Sequence, residues 1–331
     1  MLNRSGMALV LALLAVSFLV AITVQLFITV NWQVKASTNF RDSVSLDALN
    51  RSALSIARAS LLADQNVNNY DSQYDDWNFL SEKDLHVLLG SDNLTVKVVD
   101  LTGKIQVNAL ISNDKDSKKR EQHEKVQYEM WMRFLTSGRF AVADEKEASA
   151  LLNAIMDWID SDEDERDYGA EEGYYLSLDK PYKPRNAPIG SLEELLLVRG
   201  MTNDIFYGNE DYPGIIEYLT DYGTDGNINI NLAPAPVLQV LADGLDDEMV
   251  QGLIEFRSDE NNRDSLANPE WYRQVSDIPG DIVLDKELIT VNSYYFRIDS
   301  TVQKNELSRK GSAVIYRDGS GAQKLLRWDV E

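Results

Sequence analysis

The chain has 331 residues, with 54 acidic against 32 basic side chains, a formal net charge of −22 and no cysteine. That acidity excludes nucleic acid as a partner, because phosphates demand a basic surface, and it suits a chain that binds hard cations. The missing cysteines exclude disulfides, thiolate catalysis and cysteine–zinc sites, yet they leave the periplasm open as a compartment.

The first element is apolar. After the start MLNRSG, charged only at Arg4, residues Met7 to Val30 contain nothing more polar than Ser17 and Thr23 before Gln25. As a helix this stretch spans roughly 36 Å, enough for a hydrocarbon core of about 30 Å. With Arg4 ahead and no positive cluster behind, the N-terminus stays cytoplasmic and the bulk of the chain lies outside. A secretory signal would have a shorter apolar core and a small-x-small site after it, which Asn31-Trp32-Gln33-Val34-Lys35 does not offer. A plain membrane anchor fits the length. A third reading puts processing between Gly6 and Met7, because a basic leader ending in Gly before a long apolar helix resembles the type IV prepilin signal. In most pilins and pseudopilins the fifth mature residue is Glu, paired with a neighbour's N-terminal amine; here it is Leu11. A buried Glu without a partner is costly, so a subunit with no neighbour to pair with should lose it. An apolar residue there resembles the protein K family of minor pseudopilins in type II secretion.

Helical spacing continues through Asp42 to Asp64, where Val44, Leu46, Leu49, Leu54, Ile56, Ala57 and Leu61 recur. Asn66 to Trp77 is polar and reads as loop, and Glu82 to Leu89 as a turn or two of helix. Leu94 to Asp100 and Gly103 to Asn108 alternate, and the turn Asp100–Gly103 predicts a hairpin. Strand patterns then lapse for nearly 190 residues and resume at Tyr294–Val302, Gly311–Tyr316 and Lys324–Trp328, the last two joined by Asp318-Gly319-Ser320-Gly321. Between them Ser117–Leu135 reads as a helix. Asp144-Glu145-Lys146-Glu147 opens another, with Leu151, Ile155 and Trp158 on one side. Ser191-Leu192-Glu193-Glu194 is a capping box opening a helix that ends near Gly200. Asn231 to Arg257 resembles a helix-hairpin-helix. Its hairpin, Asp243-Gly244-Leu245-Asp246-Asp247-Glu248, sets carboxylates where phosphate would approach, so it reads as a packing and protein-contact unit. The predicted fold class is α+β: a pilin-like long helix and small antiparallel sheet, interrupted by a large α-helical insertion. The expected divisions are 1–6 leader, 7–30 transmembrane helix, 31–116 pilin-like helix and first strands, 117–291 inserted α-domain, and 292–331 remaining strands.

The sharpest local chemistry is Asp157 to Glu172, DWIDSDEDERDYGAEE, in which nine residues are acidic and only Arg166 is basic. Asp160, Asp162 and Asp164 occupy positions 1, 3 and 5 of a twelve-residue calcium loop, with Glu171 at position 12. Position 6 is Glu165 where an EF-hand needs Gly, so an EF-hand is not expected; calcium held by another loop geometry and a solvated acidic loop both remain open. Asp221, Asp225, Asn227 and Asn229 form a second oxygen-rich loop. Catalytic motifs are missing: His123 stands in Gln122-His123-Glu124-Lys125 rather than HExxH, and there is neither a GxSxG elbow nor a phosphate loop. His86 and His123 read as surface histidines.

Taken in order, the leader, Leu11, Asp157-Trp158-Ile159-Asp160, Gly169-Ala170-Glu171, Tyr174-Tyr175, Pro181 to Asn186, Ser191 to Arg199 and Ile228 to Pro234 resemble the same protein K family along nearly the whole chain. The resemblance implies a non-enzymatic minor pseudopilin at the tip of the pseudopilus, initiating assembly for export across the outer membrane. It implies minor pseudopilins I and J and the major pseudopilin as partners, and prepilin peptidase cutting after Gly6 and methylating Met7. It implies a single pass through the inner membrane with the bulk in the periplasm, no small-molecule substrate, and calcium on Asp160, Asp162, Asp164 and Glu171. The alternative is a membrane-anchored periplasmic metal-dependent hydrolase that uses the acidic loop.

Overall fold

The computed structural model describes residues 4–65, 67, 69–80, 94–304 and 307–331. Helix α1 (Arg4–Gln65) runs unbroken for 62 residues, about 93 Å at 1.5 Å per residue. Residues 6–41 are exposed all round, and among the described residues α1 is the one helix long and apolar enough to cross a membrane. Its few hydroxyls there do not oppose that. Ser17, Thr23 and Thr29 donate to the carbonyls of Leu13, Leu19 and Gln25 at 2.8–2.9 Å, which satisfies them inside the helix. From Asp42 a buried stripe appears: Asp42, Leu46, Asn50, Ala53, Ala57, Leu61 and Asp64. Steps of three and four keep these on one face. Val44 lies off that stripe and is exposed.

Beyond α1 come β1 (Leu94–Asp100), β2 (Ile105–Gln106), α2 (Ser117–Leu135), α3 (Glu145–Ile159), α4 (Glu172–Leu176) and α5 (Asn203–Phe206). Then follow β3 (Leu219–Thr220), β4 (Ile228–Asn229), α6 (Ala235–Leu238), α7 (Asp247–Ser258), β5 (Ile289–Thr290), β6 (Tyr295–Lys304), β7 (Leu307–Arg317) and β8 (Gln323–Val330). The main sheet is antiparallel, in the order β1-β6-β7-β8. Its inner face presents Leu94, Val96, Val98, Phe296, Ile298, Val302, Ala313 and Ile315 to the α1 stripe, and Trp77 closes this first core. Trp77 belongs to a short 3-10 turn, Asp76–Phe79, so the segment expected to be plain loop is partly core. One polar seam crosses the packing: Ser300 donates to Asn50 Oδ1 at 2.8 Å. Gly311 faces it, where a Cβ would meet Ser300 Oγ at 2.8 Å and the Trp328 ring at 2.9 Å.

A second core is built from residues between Ile105 and Val291, with Trp131, Phe134, Phe140, Trp158, Tyr175, Phe206 and Trp271 fully buried. Its helices start on side-chain caps: Asp116 accepts from Lys118 N for α2, and Asp144 from Glu147 N for α3. Glu147 in turn accepts from Ala143 N at 2.6 Å. In the helix-hairpin-helix unit the chain turns at Gly244 (φ +80°), and Asp246 caps α7 through Met249 N. The hairpin carboxylates meet the protein's own arginines, Asp243 with Arg133 at 3.2 Å and Asp247 with Arg139.

Four further sequence expectations change. The hairpin across Asp100–Gly103 does not form: β1 pairs with β6, and β2 pairs in parallel with β3. The Asp100 carboxylate accepts from Thr102 N (2.9 Å) and Gly103 N (2.5 Å), while Thr102 Oγ1 accepts from Tyr294 N and Tyr295 N. This turn carries the chain into the second core instead of back along β1. Strand structure does not lapse between the two groups, because β2–β3 and β4–β5 form two-residue parallel pairs. The box at Ser191 opens no α-helix: Leu192–Leu197 winds as a 3-10 helix, Ser191 donates to Glu193, and Glu194 instead accepts from Gly190 N and Arg185. His123 is half-buried, its Nε2 at 2.9 Å from Ala109 O, rather than a plain surface residue. The helix expected over Glu82–Leu89 lies outside the described residues, as does His86.

The two cores meet at a buried polar joint. Asp71, on the loop after α1, accepts from Ser293 N (2.7 Å) and from Arg317, and its carbonyl accepts from Asn229 and Asn231. Arg317 also donates to Leu61 O (3.0 Å) and Ser293 O (3.2 Å) and reaches Asp64 at 3.5 Å. Burial, reinforced by Asp75 and Asp71, pushes Asp64 up to about 7 against the pull of Arg317. Burial likewise lifts Asp75 to about 6.

Candidate metal centre

Three carboxylates converge where α3 ends and α4 begins. One oxygen each from Asp157, Asp160 and Glu171 lie within 4.8 Å of one another, and all three residues are buried. The local sequence explains the convergence. Asp157 and Asp160 stand three apart at the end of α3, on one face of the last turn. The acidic loop then folds back. Gly169 N donates to Arg166 O at 2.8 Å, Ala170 N donates to Asp157 Oδ2 at 2.8 Å, and Asn153 Nδ2 holds Asp167 O at 2.9 Å. Tyr168 turns the chain at φ +62°. At Gly169 a Cβ would overlap the Asp157 carboxylate, so only glycine lets the loop come this close. Glu171 occupies the N-cap position of α4 without capping it; its side chain turns inward instead.

The electrostatics are unusual for a surface loop. Glu171 is 5% exposed, and neither of its carboxylate oxygens has a hydrogen-bond partner; Asp160 Oδ1 and Asn186 Oδ1 are also buried and unpartnered. Burial first, then Asp157, Asp160, Glu163 and Asp162, push Glu171 up to about 8. Burial raises Asp160 to about 6, opposed by Arg166. The Arg166 guanidinium bridges Asp157 Oδ1 (2.7 Å) and Asp160 Oδ2.

A hard cation fits this donor set. Every free donor is an oxygen, and there is neither sulfur nor imidazole among the three. Calcium–oxygen distances of about 2.3–2.6 Å allow two ligands of one ion to be at most about 5 Å apart, which these oxygens satisfy. Unmade contacts on a buried carboxylate are expensive, and a divalent ion would supply them.

Of the residues expected to ligate, Asp160 and Glu171 come together. Asp162 and Asp164 are exposed on the outer side of the loop, where Asp162 Oδ1 accepts from Asp164 N at 3.0 Å. Asp157, which joins the cluster, was not among the expected residues because it sits inside the helical pattern; its signal was the i, i+3 spacing to Asp160. The second oxygen-rich loop gathers no cluster among the described residues: Asp225 Oδ1 accepts from Gln106 and Asn227 N, and Asn229 is buried at the joint. At the other end of the molecule, Gly6, Met7 and Leu11 lie in the first turns of α1, with Met7 and Leu11 64% and 62% exposed.

Residues 103–208, which contain the whole carboxylate centre, match the family model described as type II secretion system (T2SS), protein K. The chain is 25% identical over 339 residues to the type II secretion system protein K of Aeromonas hydrophila, covering 98% of this chain and 96% of that one. It is 21% identical over 238 residues to the protein K of Pseudomonas aeruginosa, covering 72% of this chain and 65% of the relative. Among solved structures, a chain of the GspK-GspI-GspJ complex from the enterotoxigenic Escherichia coli type 2 secretion system superposes with a TM-score of 0.62 at 17% identity, covering 90% of this chain and 99% of that one.

Proposed function

We propose, from the match to the type II secretion system protein K family model and the similarity to a protein K along nearly the whole chain, that the chain is the minor pseudopilin at the tip of a type II secretion pseudopilus, where it starts assembly for export across the outer membrane. The observation that carries this reading is the single helix α1. Its apolar half is wholly exposed over residues 6–41, and its second half is the spine of a four-stranded sheet. Such a helix leaves one half unpartnered within the chain and available to a helical bundle. The apolar Leu11 fits a subunit with no neighbour to pair with above it, and the second core supplies bulk that blocks further stacking. The complex named for the solved relative supports minor pseudopilins I and J as partners, with the major pseudopilin below. Before assembly the chain spans the inner membrane once, with both cores in the periplasm. Prepilin peptidase cuts after Gly6 and methylates Met7. The hydrolase reading has no support in the comparisons, and the role is structural.

Calcium in this reading sits among Asp157, Asp160 and Glu171. The ion would neutralise the buried carboxylates and fasten the end of α3 to the start of α4; Asp162 and Asp164 add to the negative field from the loop surface. Mass spectrometry of the N-terminus, from cells with and without prepilin peptidase, tests the assignment. A methylated Met7 start that depends on the peptidase is expected, and an intact Met1 in both strains would remove it.

A further inference from the structure

The only basic side chain of the acidic run, Arg166, sits against two of the three converging carboxylates. Arg166 Nη1 stands at 2.7 Å from Asp157 Oδ1 and also touches Asp160 Oδ2. Those are the carboxylates that converge with Glu171. A calcium ion cannot bind Asp157 and Asp160 through these oxygens while the guanidinium nitrogen lies between them, since both cations need the same lone pairs. Glu171, the third carboxylate, accepts no hydrogen bond from Arg166 and keeps both oxygens unpartnered although 95% buried. One positive charge thus covers two of three acids and leaves the centre short of neutrality.

The guanidinium has somewhere to go. The Arg166 side chain is 30% exposed, unlike those of Asp157 (0%) and Asp160 (6%). It also lines a cavity of about 580 Å³ shared with Asp162, Glu124 and Asp114. On leaving Asp157 and Asp160 it can be received by these acids, so its release does not strand a charge.

We propose that Arg166 is a built-in competitor for the cation: it holds the carboxylates together while the centre is empty, and calcium binds by displacing it. The inference rests on the calcium reading and adds its regulation. Arg166 sets the affinity downward, so that the loop closes on metal only when calcium is abundant, as outside the cytoplasm. In the empty protein it keeps the acids from repelling one another apart.

The test uses the detergent-solubilised full chain, as wild type, R166Q and R166K, each prepared with calcium and then stripped by chelator. Calcium alone is titrated calorimetrically, and melting is followed without metal. The released guanidinium is received by other acids, so the competition is set at the scale of two ordinary net hydrogen bonds, and R166Q is expected to bind calcium about 10- to 100-fold more tightly than wild type, while melting lower than wild type when metal-free. A merely structural arginine would give the second change without the first. Wild type that binds calcium, with R166Q binding equally or more weakly, overturns the proposal and leaves the metal centre standing. No binding by either protein removes the centre and the proposal together. Should R166Q not fold without metal, R166K carries the test, because it keeps the charge but loses the planar fork; affinity above wild type is expected, and affinity at or below it refutes the competition.

Discussion

Replacing Arg317 with Met tests the joint between the two cores. Arg317 is 3% exposed, donates to the carbonyls of Leu61 and Ser293, bridges Asp64 and Asp71, and lies over the Phe296 ring at 4.6 Å. Met keeps much of the packing volume but leaves two buried carboxylates without this cation. Removing one partner of a buried ion pair costs about 3–5 kcal/mol, and that is the loss expected at pH 8. The loss depends on pH with a definite sign. Burial holds Asp64 up to about 7 and Asp75 up to about 6, so between about pH 4 and pH 7 the folded chain binds more protons than the unfolded one. Stability contributed by these groups is present below pH 4 and is lost as pH rises through that window. Arg317 pulls Asp64 and Asp71 down, so without it both titrate higher still. At pH 5 Asp64 is neutral, and the penalty shrinks to about 1–2 kcal/mol for the lost hydrogen bonds to carbonyls. Urea unfolding of the full chain in detergent at the two pH values measures both losses. Equal losses at pH 5 and pH 8, or a loss under about 1 kcal/mol at pH 8, would refute the account of the joint.

Three further outcomes are expected. Asp157→Asn should abolish the rise in melting temperature that calcium gives the wild type, read by differential scanning fluorimetry; a retained rise would place the ion elsewhere. Gly311→Val pushes a side chain into Ser300, Trp328 and Asn50 and should destabilise the sheet against α1 by about 1–3 kcal/mol, visible in a circular dichroism melt; an unchanged melt would mean the seam repacks freely. Labelled subunits should appear only at one end of assembled pseudopilus fibres in electron micrographs, and labels spaced along the fibre length would contradict a tip position.

The long elements were legible because each carried two agreeing signals. Ser117–Leu135 had a polar cap and an amphipathic interior, and it forms over those residues. The last two strands had alternation and a Gly-rich turn between them, and they pair with each other. The rest was hidden where meaning depends on distant residues. Asp71 and Asp75 look like solvated loop acids, yet both are buried, because Arg317 arrives from the far end of the chain to meet Asp71. β2 to β5 are two residues each, too short to alternate. At the candidate centre the gathering of acidic side chains was readable from charge density. The set itself was not, because the calcium-loop template spaces acids along a loop, whereas the fold recruits Asp157 from a helix end and turns Asp162 and Asp164 to solvent.

The pairing of β1 with β6 also orders the folding of the chain. Asp100 lies opposite Phe296, so the first strand of the sheet must wait for a partner synthesised about 200 residues later. Closing a flexible loop of that length costs about 4–5 kcal/mol of chain entropy before any ladder bond forms. The intervening segment has a hydrophobic core of its own, and its two ends meet where Thr102 Oγ1 accepts from Tyr294 N and Tyr295 N and Leu101 N donates to Tyr295 O. Collapsing first, it delivers β1 and β6 side by side and removes most of that entropy. The second core therefore acts as a folding template for the sheet, and lesions deep within it, at Trp131 or Trp271, should slow formation of a sheet that neither residue touches.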